Sequence, residues 1–203
     1  MPRKNLIRCN HLPYHVTSRS NNKEWFSLPL ESVWNICLQS LKEAYNIHKV
    51  EIISFVLMSN HYHLIVRTPD ANLDQFMYEF NKRIAFALRD SSGNINHILG
   101  GRYKWCLIQS QKYFGNCYRY VYQNPRRAML THRCEDYPFS TLHFIVNNKN
   151  FVVPLFDQMG FKDGYNLNWI NDEIDETEKE MLKTALRRSE LKVLRNRSTR
   201  KEL

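Results

Sequence analysis

Residues 50–57 and 61–68 are two runs of apolar, β-branched and aromatic side chains, joined only by Met58, Ser59 and Asn60. So short a link suits an antiparallel hairpin. A lone hairpin is marginal in water and needs further strands and covering helices. The rest of the chain offers them. Residues 12–19 read as a strand ahead of the hairpin. Leu30, Val33, Trp34, Cys37, Leu38, Leu41 and Tyr45 recur at helical spacing, which predicts an amphipathic helix over 30–46. Asn72 is placed to cap a second helix with the apolar stripe Leu73, Phe76, Met77, Phe80, Ile84 and Leu88, which Ser91-Ser92-Gly93-Asn94 breaks. Residues 102–109 read as a fourth strand after Gly100 and Gly101, and 111–123 as a third helix that must stop near Pro125.

The order is strand, helix, strand, strand, helix, strand, helix. That predicts an α+β, ferredoxin-like (split βαβ) antiparallel sheet with helices on one face and the other face free for a ligand. The boundary falls after this unit, giving a domain over 1–147 and a helical, basic C-terminal extension over 148–203. Residues 139–147 read as a short helix, 151–170 as irregular and 175–190 as a last helix. That helix starts with Asp172, Glu173, Asp175, Glu176 and Glu178 and ends with Arg187 and Arg188, a polarity that suits the helix dipole and needs no functional reading. From Lys192 onward the chain is rich in Lys and Arg.

Among 203 residues, 29 Lys and Arg face 20 Asp and Glu, and 11 Tyr and 11 Phe make the chain aromatic-rich. A basic, aromatic chain favours a polyanion with unstacked bases as its partner. The five cysteines are odd in number and lack Cys-x-x-Cys spacing, so neither a disulfide frame nor a zinc knuckle is expected. The opening residues have no apolar signal core, and no run of about 18 apolar residues occurs. A cytoplasmic, nucleoid-associated protein without membrane contact is the expectation.

His61-Tyr62-His63 lies on the second hairpin strand. Alternation puts both imidazoles on one face, about 7 Å apart, where they can share a cation or serve as two satisfied surface histidines. Tyr120 and Asn124 are four apart on the third predicted helix and so project from one side, about 6 Å apart. If that helix crosses the sheet beside the second hairpin strand, Asn124 can offer an amide oxygen to the cation and Tyr120 a phenol to whatever the cation polarises. Such an open, oxygen-favouring set suits Mg2+ or Mn2+ on a phosphate. Asn124 also fits as an ordinary helix C-terminal residue, and Tyr120 as one core aromatic among Tyr113, Tyr118 and Tyr122.

Several motifs in order resemble one family. They are Met1-Pro2-Arg3-Lys4, Tyr14-His15-Val16-Thr17-Ser18-Arg19, Val56-Leu57-Met58-Ser59-Asn60-His61-Tyr62-His63-Leu64, Gly101-Arg102-Tyr103-Lys104, Arg119-Tyr120-Val121-Tyr122-Gln123-Asn124-Pro125 and Asp136-Tyr137-Pro138-Phe139-Ser140. Over 1–145 the chain resembles the single-tyrosine HUH transposases, and within them it looks most like the bacterial transposases associated with repetitive extragenic palindromes (REP). The resemblance implies that His61 and His63 bind a divalent metal, Mg2+ or Mn2+, that Asn124 is a third ligand, and that Tyr120 is the nucleophile. Ser59 departs from the proline commonest in that turn, which changes turn stiffness and not the ligands.

The implied activity is metal-dependent cleavage and transfer of single-stranded or hairpin-flanking DNA through a 5′-phosphotyrosine. Arg3, Lys4, Arg19, Lys82, Arg83, Arg102, Lys104, Arg126 and Arg127 are candidate backbone contacts, with Lys104 and Arg119 also candidates to activate the phenol. The resemblance favours a monomer over a homodimer. A non-catalytic single-strand binder on the same fold stays open beside it. A two-histidine iron oxygenase is disfavoured because neither motif holds a carboxylate.

Overall fold

A computed structural model describes residues 5–93, 98–163 and 167–191. The short link forces the hairpin: β2 (Glu51–Leu57) and β3 (His61–Arg67) pair antiparallel, with Phe55 opposite Leu64 and Leu57 opposite Tyr62. β1 (Tyr14–Arg19) pairs antiparallel with β3, and β4 (Lys104–Leu107) with β1. The order β2-β3-β1-β4 is that of the expected ferredoxin-like sheet. β4 is shorter than the predicted 102–109 because its chain leaves the ladder. The Ile108 amide donates to the Pro13 carbonyl, and the outer edge of Leu107 exchanges backbone bonds with Ser189 and Leu191 at 2.9 Å each. A returning C-terminal segment thus covers an edge that would otherwise stay unpaired.

Strand alternation sorts the sheet into two faces. Tyr14, Val16, Tyr62, Leu64, Val66 and Trp105 point to the first, where α1 (Leu30–Ile47) and α2 (Leu73–Ser92) bury their apolar stripes. Trp34 of α1 stacks on Phe55 at 5.4 Å. α2 ends on Gly93, whose φ of 68° is the left-handed conformation that a closing residue needs. Asn72 holds the N-cap position, but only its backbone carbonyl caps; its buried Oδ1 has no hydrogen-bond partner among the described residues.

The second face was expected to be open, and most of it is covered. Its strands carry Ile53, Val56, Ile65 and Cys106, apolar groups that gain by leaving water. α3 (Gln111–Tyr122) packs on them with Cys117, Tyr118, Val121 and Tyr122. α3 ends before Pro125 as predicted, yet a further turn follows, α4 (Asn124–Arg127), which tolerates Pro125 in its first turn where no amide is needed. α5 (Thr141–Val146) starts at Ser140, whose Oγ accepts from the His143 amide at 3.3 Å. Residues 151–170, read as irregular, include the start of α6 (Leu167–Asn171). α7 (Glu176–Ala185) is capped by Asp175 and stops short of 190, because 189–191 is drawn out along β4. The segment after 148 shares the second core: Phe161 stacks on Tyr118 at 5.6 Å, and Ile170, Leu182 and Leu186 are buried with it. All five cysteines are buried, and none forms a disulfide. The basic tail from Lys192 lies outside the described residues.

Candidate active site

Alternation leaves His15, Thr17 and Arg19 of β1 and His61 and His63 of β3 on the second face. The register sets Thr17 opposite His63 and Arg19 opposite His61. Lys104 of β4 is opposite Thr17, so it lies two strands from His63, about 10 Å away. α3 crosses this end of the sheet and lays the Tyr120 ring edge-on to His63, with ring centroids 5.8 Å apart, and to His15 at 6.5 Å. Tyr118 and Tyr122 of the same helix are buried, their hydroxyls bonded to Ile53 O at 3.4 Å and Thr141 Oγ1 at 2.8 Å. Tyr113 is buried too. Tyr120 is the half-buried tyrosine of α3 and the one beside the histidines.

The imidazoles are held from their Nδ1 sides. His63 Nδ1 is 2.8 Å from His15 Nε2, and the two rings stack at 5.1 Å. His61 Nδ1 is 2.7 Å from Asn60 Oδ1. The His61 and His63 rings are 5.0 Å apart, and neither Nε2 has a hydrogen-bond partner among the described residues. Burial pushes His15 down to about 3, helped by His61. Burial and Arg19 push His61 down to about 4. His63 falls well below the usual range through burial, then His15, His61, Arg127 and Arg19. All three are therefore neutral at neutral pH, the form that ligates metals.

These shifts also set an acid limit. An unfolded histidine titrates near 6.5, so below that pH the unfolded chain binds more protons than the folded one. Stability from these groups is full above pH about 6.5 and drains as the pH falls toward the depressed folded values. Urea melts of the metal-free protein should lose several kcal/mol between pH 7.5 and 4.5. A midpoint that stays constant over that interval would show that the three rings are not held neutral.

Arg127 of α4 completes the cluster. Its guanidinium lies 4.6 Å over the Tyr120 ring, and Nη2 donates to the Tyr120 carbonyl at 2.6 Å. Nη1 is buried without a partner among the described residues. Burial raises the Tyr120 phenol, and Arg127 pulls it the other way. Arg119, expected as an activator, faces elsewhere: it donates to the Asp172 carbonyl at 2.6 Å and lies over Trp169. Asn124 sits one turn past Tyr120, where its Nδ2 donates to the carbonyls of Tyr120 at 2.8 Å and Val121 at 3.2 Å. Its Oδ1 accepts no hydrogen bond among the described residues. Among the described residues no group of three or more His, Cys, Asp or Glu is arranged around a metal position. Any ion here would rest on the two Nε2 atoms and oxygen donors.

The other expected contacts scatter. Arg19 flanks His61, and Lys104 lies on the same face. Lys82 and Arg83 project from α2, on the far side of the sheet, in ion pairs with Glu79 and Glu43. Arg102 lies over Tyr103, and Arg126 pairs with Glu173 and the Asn171 carbonyl. Arg3 and Lys4 lie outside the described residues. Sequence reasoning missed His15 as a partner of His63, and read Arg127 only as a backbone contact. Period-two alternation from Arg19 back to His15 carried the first signal; nothing local carried the second.

Residues 9–124 match the family model described as transposase, IS200-like. The chain belongs to the IS200-like transposase family. Its function is accordingly transposase-like, on DNA. The fold is similar to that of a REP-associated tyrosine transposase solved bound to a REP hairpin, with a TM-score of 0.63 and 20% identity over 79% of this chain and 95% of that one. A candidate transposase from Deinococcus radiodurans aligns at 14% identity over 60% of this chain and 94% of that one, with a TM-score of 0.41, too low to carry an argument. No curated protein matches the chain by sequence. Among the described residues of this IS200-like protein, no helix is long and apolar enough to cross a membrane.

Proposed function

We propose that the chain is a metal-dependent single-stranded DNA endonuclease and strand transferase that cleaves through a covalent 5′-phosphotyrosine on Tyr120. The observation that carries this reading is the Tyr120 ring, edge-on and 5.8 Å from His63, beside paired neutral imidazoles. His61 and His63 would hold Mg2+ or Mn2+ through Nε2, with Asn124 Oδ1 as the third donor. When bound, the ion withdraws charge from the non-bridging phosphate oxygens and fixes the scissile phosphate.

The residues of the chain do the rest. Tyr120 Oη attacks phosphorus, the Oη–P bond forms and the P–O3′ bond breaks. The phenol proton leaves and the departing oxygen becomes a 3′-hydroxyl. The ester bond energy is retained, so attack by another 3′-hydroxyl rejoins DNA without a nucleotide cofactor. Arg127 lowers the cost of the phenolate, and its free Nη1 can meet a phosphate oxygen. Arg19 and Lys104 border the cluster and suit the flanking backbone. Tyr120 is half-buried and His63 buried, so the target phosphate must be free to reach them, which paired and stacked strands hinder; this favours a single-stranded substrate, flanking a hairpin of the kind bound by the solved fold relative. Residues 1–147 carry the chemistry, the described residues of the 148–203 extension pack on the second face through Phe161, Ile170 and Leu182, and the protein acts as a monomer at the nucleoid.

The test is incubation of the wild type with hairpin-flanked single strands and Mn2+. An SDS-stable protein–DNA adduct that chelator prevents and fully duplex DNA does not give supports the reading. No adduct across such substrates refutes it and leaves a single-strand binder. Arg127→Gln should slow adduct formation about 10²–10³-fold in single-turnover assays while leaving DNA affinity nearly intact. An equal loss in affinity and rate would assign Arg127 to binding alone.

A further inference from the structure

We infer that Asn60 and His15 are positioning residues: each holds the Nδ1 proton of a neighbouring histidine, so that His61 and His63 both present an Nε2 lone pair on the same side of the sheet. The inference rests on the proposed reading of that pair as metal ligands and extends it to two residues that touch no metal.

A neutral imidazole carries one proton, and the hydrogen bond at one nitrogen decides which nitrogen is left bare. For His61 the partner is Asn60 Oδ1 at 2.7 Å. An amide can be turned end for end, but here the other end is fixed. Asn60 Nδ2 donates to the Lys23 carbonyl at 2.7 Å, and a carbonyl can only accept. Oδ1 must therefore face the ring, and a carbonyl oxygen leaves His61 Nδ1 as the donor. The proton is on Nδ1 and the lone pair on Nε2.

The surrounding turn is built around this contact. The Ser20 amide donates to Asn60 O at 2.8 Å, the Phe26 amide to Ser59 O at 2.9 Å and the Met58 amide to His61 O at 2.7 Å. Lys23 itself has a φ of 63°, a left-handed conformation uncommon for lysine, as the chain turns its carbonyl toward the Asn60 side chain.

His63 is held by a different partner with the same result. Its Nδ1 and His15 Nε2 are 2.8 Å apart between two buried rings, so one proton lies between them. With that proton on His63, the ring offers Nε2 and His15 acts as acceptor. With it on His15, His63 Nε2 carries the remaining proton and cannot ligate. The site therefore needs the first arrangement, and His15 is the residue able to receive it. Partners behind ligating histidines typically tune metal affinity about 10–100-fold.

The experiment uses the full-length 15N-labelled protein without metal at neutral pH. Long-range proton–nitrogen correlation spectra read which ring nitrogen is protonated, a signature that loose packing alone would not produce. His61 and His63 should both show the proton on Nδ1. Mn2+ alone is then titrated calorimetrically. Asn60→Ala should bind it about 10–100-fold more weakly than the wild type. Asn60→Asp, which keeps an acceptor for His61 but loses the donor to Lys23, should stay within a few-fold. His15→Leu should weaken binding, and His15→Gln, which restores an acceptor, should recover part of it. A wild type that binds Mn2+ with either ring protonated on Nε2 overturns the positioning role and leaves the ligand reading standing. Unchanged Mn2+ affinity in Asn60→Ala and His15→Leu overturns it as well. A wild type that binds no Mn2+ refutes the ligand reading on which the inference rests.

Discussion

Tyr120→Phe removes one oxygen and should remove covalent chemistry entirely. The ring stays beside His63 and beneath Arg127, so the site keeps its shape. The phenol makes no hydrogen bond among the described residues, so folding stability should change by about 0.5 kcal/mol or less. DNA binding should persist, because the proposed backbone contacts at Arg19 and Lys104 are untouched. The rate of strand cleavage should fall at least about 10⁴-fold, as expected when the proposed nucleophile is lost. Tyr118→Phe and Tyr122→Phe are the informative controls. Their hydroxyls bond to Ile53 O and Thr141 Oγ1 in the second core, so each should cost about 1 kcal/mol of stability and leave adduct formation intact. A Tyr120→Phe protein that still forms the adduct would transfer the chemistry to another residue.

His63→Ala is expected to have the second largest effect. It removes one of the two proposed imidazole donors and strips His15 Nε2 of its partner at 2.8 Å. Metal-dependent charge stabilisation is worth several kcal/mol, so cleavage at a fixed Mn2+ concentration should fall on the order of 10³-fold. The loss can be read without activity. A ligand that binds only the folded state stabilises it by about 2.7 kcal/mol at a hundredfold excess over Kd. The wild type should therefore melt higher as Mn2+ is added, and His63→Ala should not. The variant should also melt lower than wild type in chelator, because a buried ring is lost and a buried nitrogen is left unpaired, together about 1–3 kcal/mol. An undiminished Mn2+ response in the variant would remove His63 from the ligand set.

Much of the sheet was legible because its signals are local. Three residues between two strand-forming runs dictate the hairpin, and the stripes from Val33 to Leu41 and from Leu73 to Leu88 dictate two helices. Alternation placed His61 and His63 on one face before any pairing was known. What escaped depends on partners distant in sequence. His15 meets His63 only because β1 pairs beside β3 in a register that sets Thr17 against His63. The cover over the second face follows from where Ile53, Ile65 and Cys106 come together, which no window of sequence contains. α7 ends early because Ser189 and Leu191 bond to Leu107, some eighty positions back. Arg127 reaches Tyr120 because a helical turn resumes at Asn124, where Pro125 alone suggested an end.

The account stands on one bond, between Tyr120 Oη and a DNA phosphate. Mass spectrometry of the trapped adduct after trypsin tests it most directly. Cleavage after Arg119 and Arg126 places Tyr120 and Tyr122 on one peptide, with Tyr113 and Tyr118 on the preceding one after Lys112. Fragmentation should put the nucleotide remnant on Tyr120. A remnant on Tyr113, Tyr118 or Tyr122, or on a peptide outside α3, would contradict the account.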